Sequence, residues 1–250
     1  MRTLSIGNSF SQDACAYLHQ AAASAGLDLE CVNLYIGGCS LAYHAENLRE
    51  NRSNYALEIN GQGTGRTISI PEALGMGEYD FVTLQQASHF SGKPETYQPH
   101  LGELAEACRK AQPGARLMIH ETWAYETDST HGAFPDYGCD QRRMYDLLRA
   151  AYLDAARSAG AGFIPVGDVV QRFRETVPGF DYAHGGESLC RDGFHLAIPA
   201  GRYLAALVWL ETLCGIDARD VTFLPEGLTE EKRVLIAEAV HRILPEERDG

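Results

Sequence analysis

The chain has no apolar run able to cross a bilayer. Its longest, YLAALVWLETLC at 203–214, falls short of the ~20 residues such a span needs and reads as a core helix. Positive charge is scarce, with 21 Lys and Arg against 34 Asp and Glu and a formal net charge of -13. With no Lys/Arg run to build a basic patch, a nucleic-acid partner is not expected. The first residues, MRTLSIGNSF, carry one Arg but neither a long apolar region nor a small-residue cleavage site, so a cytoplasmic protein is expected. The seven cysteines form no C-x-x-C pair, and an odd count makes a poor disulfide framework and a poor zinc site. They read as small core residues, with Cys39 and Cys190 flanking segments of interest. Internal repeats, low-complexity tracts and linkers are also missing, which leaves one domain over residues 1–250.

What is present is a regular alternation of short apolar runs and helical patterns. The runs are RTLSI (2–6), DLECVNLYI (28–36), YDFVTL (79–84), ARLMIH (115–120) and GFIPV (162–166). Between and after them lie helix patterns at 13–25, after Ser40, at 97–112, 140–159, 199–214 and 229–244, the last with Thr229 as a cap. Such alternation predicts an α/β fold, a parallel five-stranded sheet with helices on both faces. YALEINGQGTGRTISI (55–70) breaks the rhythm and reads as an inserted β-hairpin about a Gly-rich turn.

Ligands of parallel sheets bind beyond the carboxyl ends of the strands. That rule selects GNSFSQ, GGCS, QQASHFSG and the long segment 120–138, which carries Trp123, Tyr125 and Tyr137. Ser9 sits in the first of these turns. A serine there either caps the helix that follows, together with Asn8, or is aimed outward as a nucleophile. A serine nucleophile needs an imidazole base, and the base needs an orienting acid. Asp192 and His195 in CRDGFHLAIP stand three residues apart before a helix, a spacing that can bring the carboxylate to Nδ1 and leave Nε2 for a serine. The same spacing also suits a plain loop Asp that caps the helix.

GNSF (7–10), the glycine in NLYIGGCS (33–40) and DGFH (192–195) fall in the order and spacing of three sequence blocks of the SGNH (GDSL-type) hydrolases, which the chain resembles over nearly its whole length. The resemblance implies a three-layer α/β/α, flavodoxin-like fold. It also implies a serine esterase with Ser9, His195 and Asp192 as triad and an oxyanion hole that includes the backbone N–H groups of Ser9 and Gly38. No metal or cofactor is implied. The third block departs from the family pattern. LQQASHFSG (84–92) puts Ala87 where the family has an oxyanion Asn, so either Gln86, the preferred candidate, or Gln85 supplies an amide, or only backbone donors remain.

The implied substrate is a small-molecule or carbohydrate ester, with Asn8 and Trp123 as substrate-binding candidates and Trp123 suited to stacking on a sugar face. Two other readings stay open. One is a non-catalytic glycan-binding protein that keeps the fold. The other is a metal-dependent site drawn from His120, Glu121, Asp128 and His131.

Overall fold

The first apolar run forms β1 (Arg2–Gly7), and its neighbours follow as β2 (Glu30–Tyr35), β5 (Phe81–Leu84), β6 (Arg116–His120) and β7 (Gly162–Ile164). In the computed structural model, which describes residues 1–248 and side chains through residue 244, these five strands pair in parallel in the order β2-β1-β5-β6-β7. Hairpin strand β3 (Tyr55–Ile59) joins antiparallel to β2 and β4 (Gln62–Ile68) antiparallel to β3, so the sheet has seven strands rather than five. Their turn is Asn60–Gly61, both at positive φ, the geometry that matches the twist of a two-residue hairpin. The reason the pair extends the sheet is that β2 otherwise ends it with an unpaired edge.

Nine helices occur among the described residues: α1 (Ser9–Cys15), α2 (Leu18–Ser24), α3 (Leu41–Arg49), α4 (Ile70–Leu74), α5 (His100–Ala111), α6 (Gln141–Ala159), α7 (Val166–Thr176), α8 (Ala200–Cys214) and α9 (Glu230–Arg248). α1, α2, α7, α8 and α9 pack together on one face of the sheet, and α3, α4, α5 and α6 on the other. Strands buried on both faces read as near-continuous apolar runs. One exception in β1 is satisfied locally, where Ser5 Oγ and Thr83 Oγ1 lie 2.9 Å apart across adjacent strands. None of the helices among the described residues is long and apolar enough to cross a membrane.

Local differences from the sequence pattern have simple causes. The helix expected at 13–25 starts at Ser9 and is interrupted between Cys15 and Leu18. α7 was not anticipated, although Val166, Val169, Val170 and Phe173 are all buried at helical spacing. The preceding run GFIPV masked it, because Pro165 ends the strand and the helix begins at once. The short α4 also escaped notice, and its capping box between Ser69 and Glu72 was the available signal. All seven cysteines are free; five are buried, Cys214 is partly exposed and Cys139 is exposed.

Candidate active site

Ser9 stands at the first turn of α1, directly beyond the carboxyl end of β1. The chain turns there because Asn8 caps the helix, its Oδ1 accepting the Phe10 N–H at 3.0 Å. Gly7 lets the turn close: a Cβ at this position would lie 2.3 Å from Ser11 Oγ. Asn8 also donates from Nδ2 to the Cys39 carbonyl at 3.0 Å, tying the Ser9 turn to the turn after β2. In that second turn Gly38 is exposed, with φ of 63°, a backbone region natural to glycine.

Asp192 and His195 arrive from the loop before α8. His195 Nε2 lies 2.8 Å from Ser9 Oγ, and His195 Nδ1 lies 2.7 Å from Asp192 Oδ2. The other oxygen, Asp192 Oδ1, accepts the backbone N–H groups of Phe194 and His195 at 3.2 and 2.8 Å. Partial burial works to raise the Asp192 pKa, but these bonds from the His195 ring and the two N–H groups outweigh it and hold the carboxyl below its usual range. A carboxylate, an imidazole and a hydroxyl in one hydrogen-bonded line can draw the proton from the hydroxyl.

The loop that delivers the pair is fixed from three sides. Asp13, fully buried on α1, accepts from Leu196 N, from Arg191 Nη1 and from Arg202 Nε at 2.9, 3.0 and 2.8 Å. Glu126 donates its backbone N–H to the Gly193 carbonyl at 2.7 Å and accepts the Ser188 hydroxyl on Oε2 at 2.7 Å. Arg174 of α7, itself buried, bonds the Ala124 carbonyl and Cys190 Sγ and lies 3.5 Å from Glu126 Oε2. None of Asp13, Glu126 or Arg174 stood out in sequence. For Asp13 the available signal was an acid on an otherwise apolar helix face.

Several expected site residues are placed elsewhere. Gln86 is fully buried and its amide is used up: Oε1 accepts from Leu41 N and Ala87 N, and Nε2 donates to Thr96 O and Thr96 Oγ1. It joins three chain segments and has no donor left for an oxyanion. Gln85 is buried too, donating to Asn8 Oδ1 at 2.7 Å and facing His120 Nδ1 with its own oxygen at 2.7 Å. It orients Asn8. Asn8 is only 1% exposed, so it is a cap and a strut, not a substrate contact.

Trp123 is 0% exposed; its ring stacks on Phe10 at 4.3 Å and its Nε1 donates to the Phe194 carbonyl. It supports the His195 loop from behind and offers no face to a sugar. Segment 120–138 is correspondingly a packed wall along much of its length, with Tyr125, Phe134 and Tyr137 also buried.

The four groups weighed as metal ligands do not gather. His120 and Glu121 are buried, bonded to Gln85 and to the Asp168 N–H; Asp128 accepts from Tyr182; His131 packs against Phe194. Burial brings the His120 pKa down to about 3. Among the described residues the His/Cys/Asp/Glu group close enough to share an ion is Glu211, Asp217 and His241, within 4.8 Å of one another. There His241 Nδ1 already meets Glu211 Oε1 at 3.0 Å and Arg219 pairs with Asp217, an ion-pair cluster in its own right. Cys39 and Cys190 sit near the site, yet burial pushes both thiols up to about 12 and makes them poor nucleophiles.

The fold is the α/β architecture shared with the SGNH hydrolases. A family model described as a domain of unknown function, DUF4886, matches residues 2–243, and the chain belongs to that family. A DUF4886 family protein from Bacteroides uniformis is 35% identical, with 97% of this chain and 93% of that one covered at a TM-score of 0.89. A protein from Slackia heliotrinireducens, provisionally assigned to the SGNH hydrolases, is 27% identical over 85% of this chain and 98% of its own, at a TM-score of 0.58. An acetylxylan esterase from Geobacillus stearothermophilus shares the fold, at 13% identity, a TM-score of 0.53, and coverage of 85% and 94%. No curated protein sequence matches the chain.

Proposed function

We propose that the protein is a serine esterase in which Ser9 is the nucleophile, His195 the general base and then acid, and Asp192 the group that fixes the imidazole. The observation that carries this reading is the unbroken line of hydrogen bonds from Asp192 Oδ2 through His195 to Ser9 Oγ. Ser9 Oγ attacks the ester carbonyl as its proton passes to His195 Nε2. Asp192, bonded to Nδ1–H, stabilises the imidazolium. The developing oxyanion takes hydrogen bonds from the backbone N–H groups of Ser9 and Gly38, which head the turns that Asn8 joins. His195 then returns the proton to the departing alcohol, and water releases the acid by the same route in reverse.

With Gln86 committed elsewhere and Ala87 at the family's Asn position, this hole is built from backbone donors alone. A missing donor typically costs ~3 kcal/mol of transition-state stabilisation, so turnover is expected to be slow for the class. O-acetylated carbohydrates and other small esters are the substrates of choice.

A fluorophosphonate probe followed by intact-mass measurement and peptide mapping tests the reading. One adduct on Ser9 is expected, lost in Ser9→Ala and in His195→Ala. A folded chain that takes no adduct would favour a glycan-binding protein without catalysis.

A further inference from the structure

The alcohol oxygen of an ester must receive its proton from the imidazole, so whatever flanks His195 flanks the alcohol half of the substrate. The Phe194 ring lies 4.2 Å from the His195 ring. His131 meets Phe194 edge to face at 4.8 Å and Tyr125 at 4.6 Å, and His89 stands parallel to His131 at 6.4 Å. Phe194, His131 and His89 are all partly exposed, unlike the aromatics behind them.

The His131 tautomer is fixed by its own loop. Nδ1 accepts the Ala133 N–H at 3.1 Å, so in the neutral ring the proton is on Nε2. Nε2 has no partner among the described residues and is not buried. Burial, and next the neighbouring His195, hold the His131 pKa below the ordinary imidazole value, against the opposing pull of Asp192. A neutral N–H donor beside an aromatic face matches an alcohol that carries both hydroxyls and an apolar ring face.

We infer that His131, with Phe194 and His89, forms the subsite for the alcohol half of the ester, His131 donating from Nε2 to a hydroxyl of a sugar-like alcohol. This rests on the esterase reading above and names the side of the substrate that reading left open. His131 is here a substrate-binding residue.

The test compares kcat/KM for a mono-O-acetyl methyl pyranoside with that for 4-nitrophenyl acetate, in wild type, His131→Ala and His131→Gln. The ratio of the two values is expected to fall about tenfold in His131→Ala, the scale of one neutral hydrogen bond, with the loss carried by KM. Glutamine, which presents an N–H at the same reach, restores most of it. A ratio that stays the same in His131→Ala overturns the subsite, as does a wild type that cleaves only the nitrophenyl ester. A wild type whose Ser9 takes no fluorophosphonate overturns the esterase reading and the subsite together, so the two failures are told apart.

Discussion

Asp13 Oδ2 accepts the backbone N–H of Leu196 at 2.9 Å, so the helix that begins with Ser9 also holds the loop that ends with His195. Ser9 and His195 are thus set by one buried carboxylate, 183 residues away in the chain from the amide it binds. Arg191 and Arg202 neutralise it.

Asp13→Asn removes that charge while keeping the shape. Two arginines then face a neutral amide, and a loss of roughly 2–4 kcal/mol in urea unfolding is expected. Fluorophosphonate labelling of Ser9 should slow as well, under conditions where the variant is fully folded. Normal labelling by a destabilised variant would show that Asp13 serves stability alone.

Asp192→Asn separates structure from proton transfer. The amide oxygen can still accept the N–H groups of Phe194 and His195, so the loop should keep its turn and unfolding should move by less than ~1 kcal/mol. Its NH2 group, however, would face Nδ1 and force the imidazole proton onto Nε2, where it blocks acceptance from Ser9. Ester turnover should fall by about 10³–10⁴.

Gln86→Ala distinguishes a strut from an oxyanion donor. The substitution strands the N–H groups of Leu41 and Ala87 in a buried position and removes a bond from the partly buried Thr96 carbonyl. Destabilisation of about 2–4 kcal/mol is expected from those unmet bonds. A large drop in kcat with unchanged unfolding would instead return Gln86 to the oxyanion hole.

Glu121 gives a pH signature in stability. Burial first, then the negative charge of Asp168, push its carboxyl well above the usual range, so the folded pair retains a proton that the unfolded chain gives up. The folded state therefore binds more protons than the unfolded state above the normal carboxylate pKa of about 4.3, and stability falls as pH rises from there toward the folded pKa. One such proton sets a slope of at most ~1.4 kcal/mol per pH unit. Glu121→Gln keeps an acceptor for the Asp168 N–H and should flatten urea stability between about pH 5 and 8. An equal slope in both proteins would mean that the pair does not carry the proton.

The five parallel strands and the hairpin were legible because each is a local pattern: an apolar run, a turn signal, a cap. DGFH was legible as a block for a related reason. Asp192 and His195 lie within one turn, and their bond at 2.7 Å needs only local geometry. Their meeting with Ser9 does not, since it depends on Asp13, Arg191 and Glu126 pinning the loop. Trp123 shows the opposite case. Its type and its place on a long loop both favoured a sugar platform, yet Phe10 covers it, and no local pattern reports which ring lies above another.

By itself the sequence determined the alternation of layers, the sheet edge at which the polar turns collect, and the serine, aspartate and histidine that those turns present. Apolar periodicity and turn chemistry act over a few residues, and a few residues suffice to read them. Only the tertiary structure decided which polar groups stay free. Gln85, Gln86 and Asn8 look available in the chain but are consumed by polar groups of distant segments: Gln85 by the Asn8 and His120 side chains, Gln86 and Asn8 by backbone groups. His131 becomes a free donor because its other nitrogen is already taken. A buried polar group must find a partner, and which partners are within reach is settled only when the segments pack.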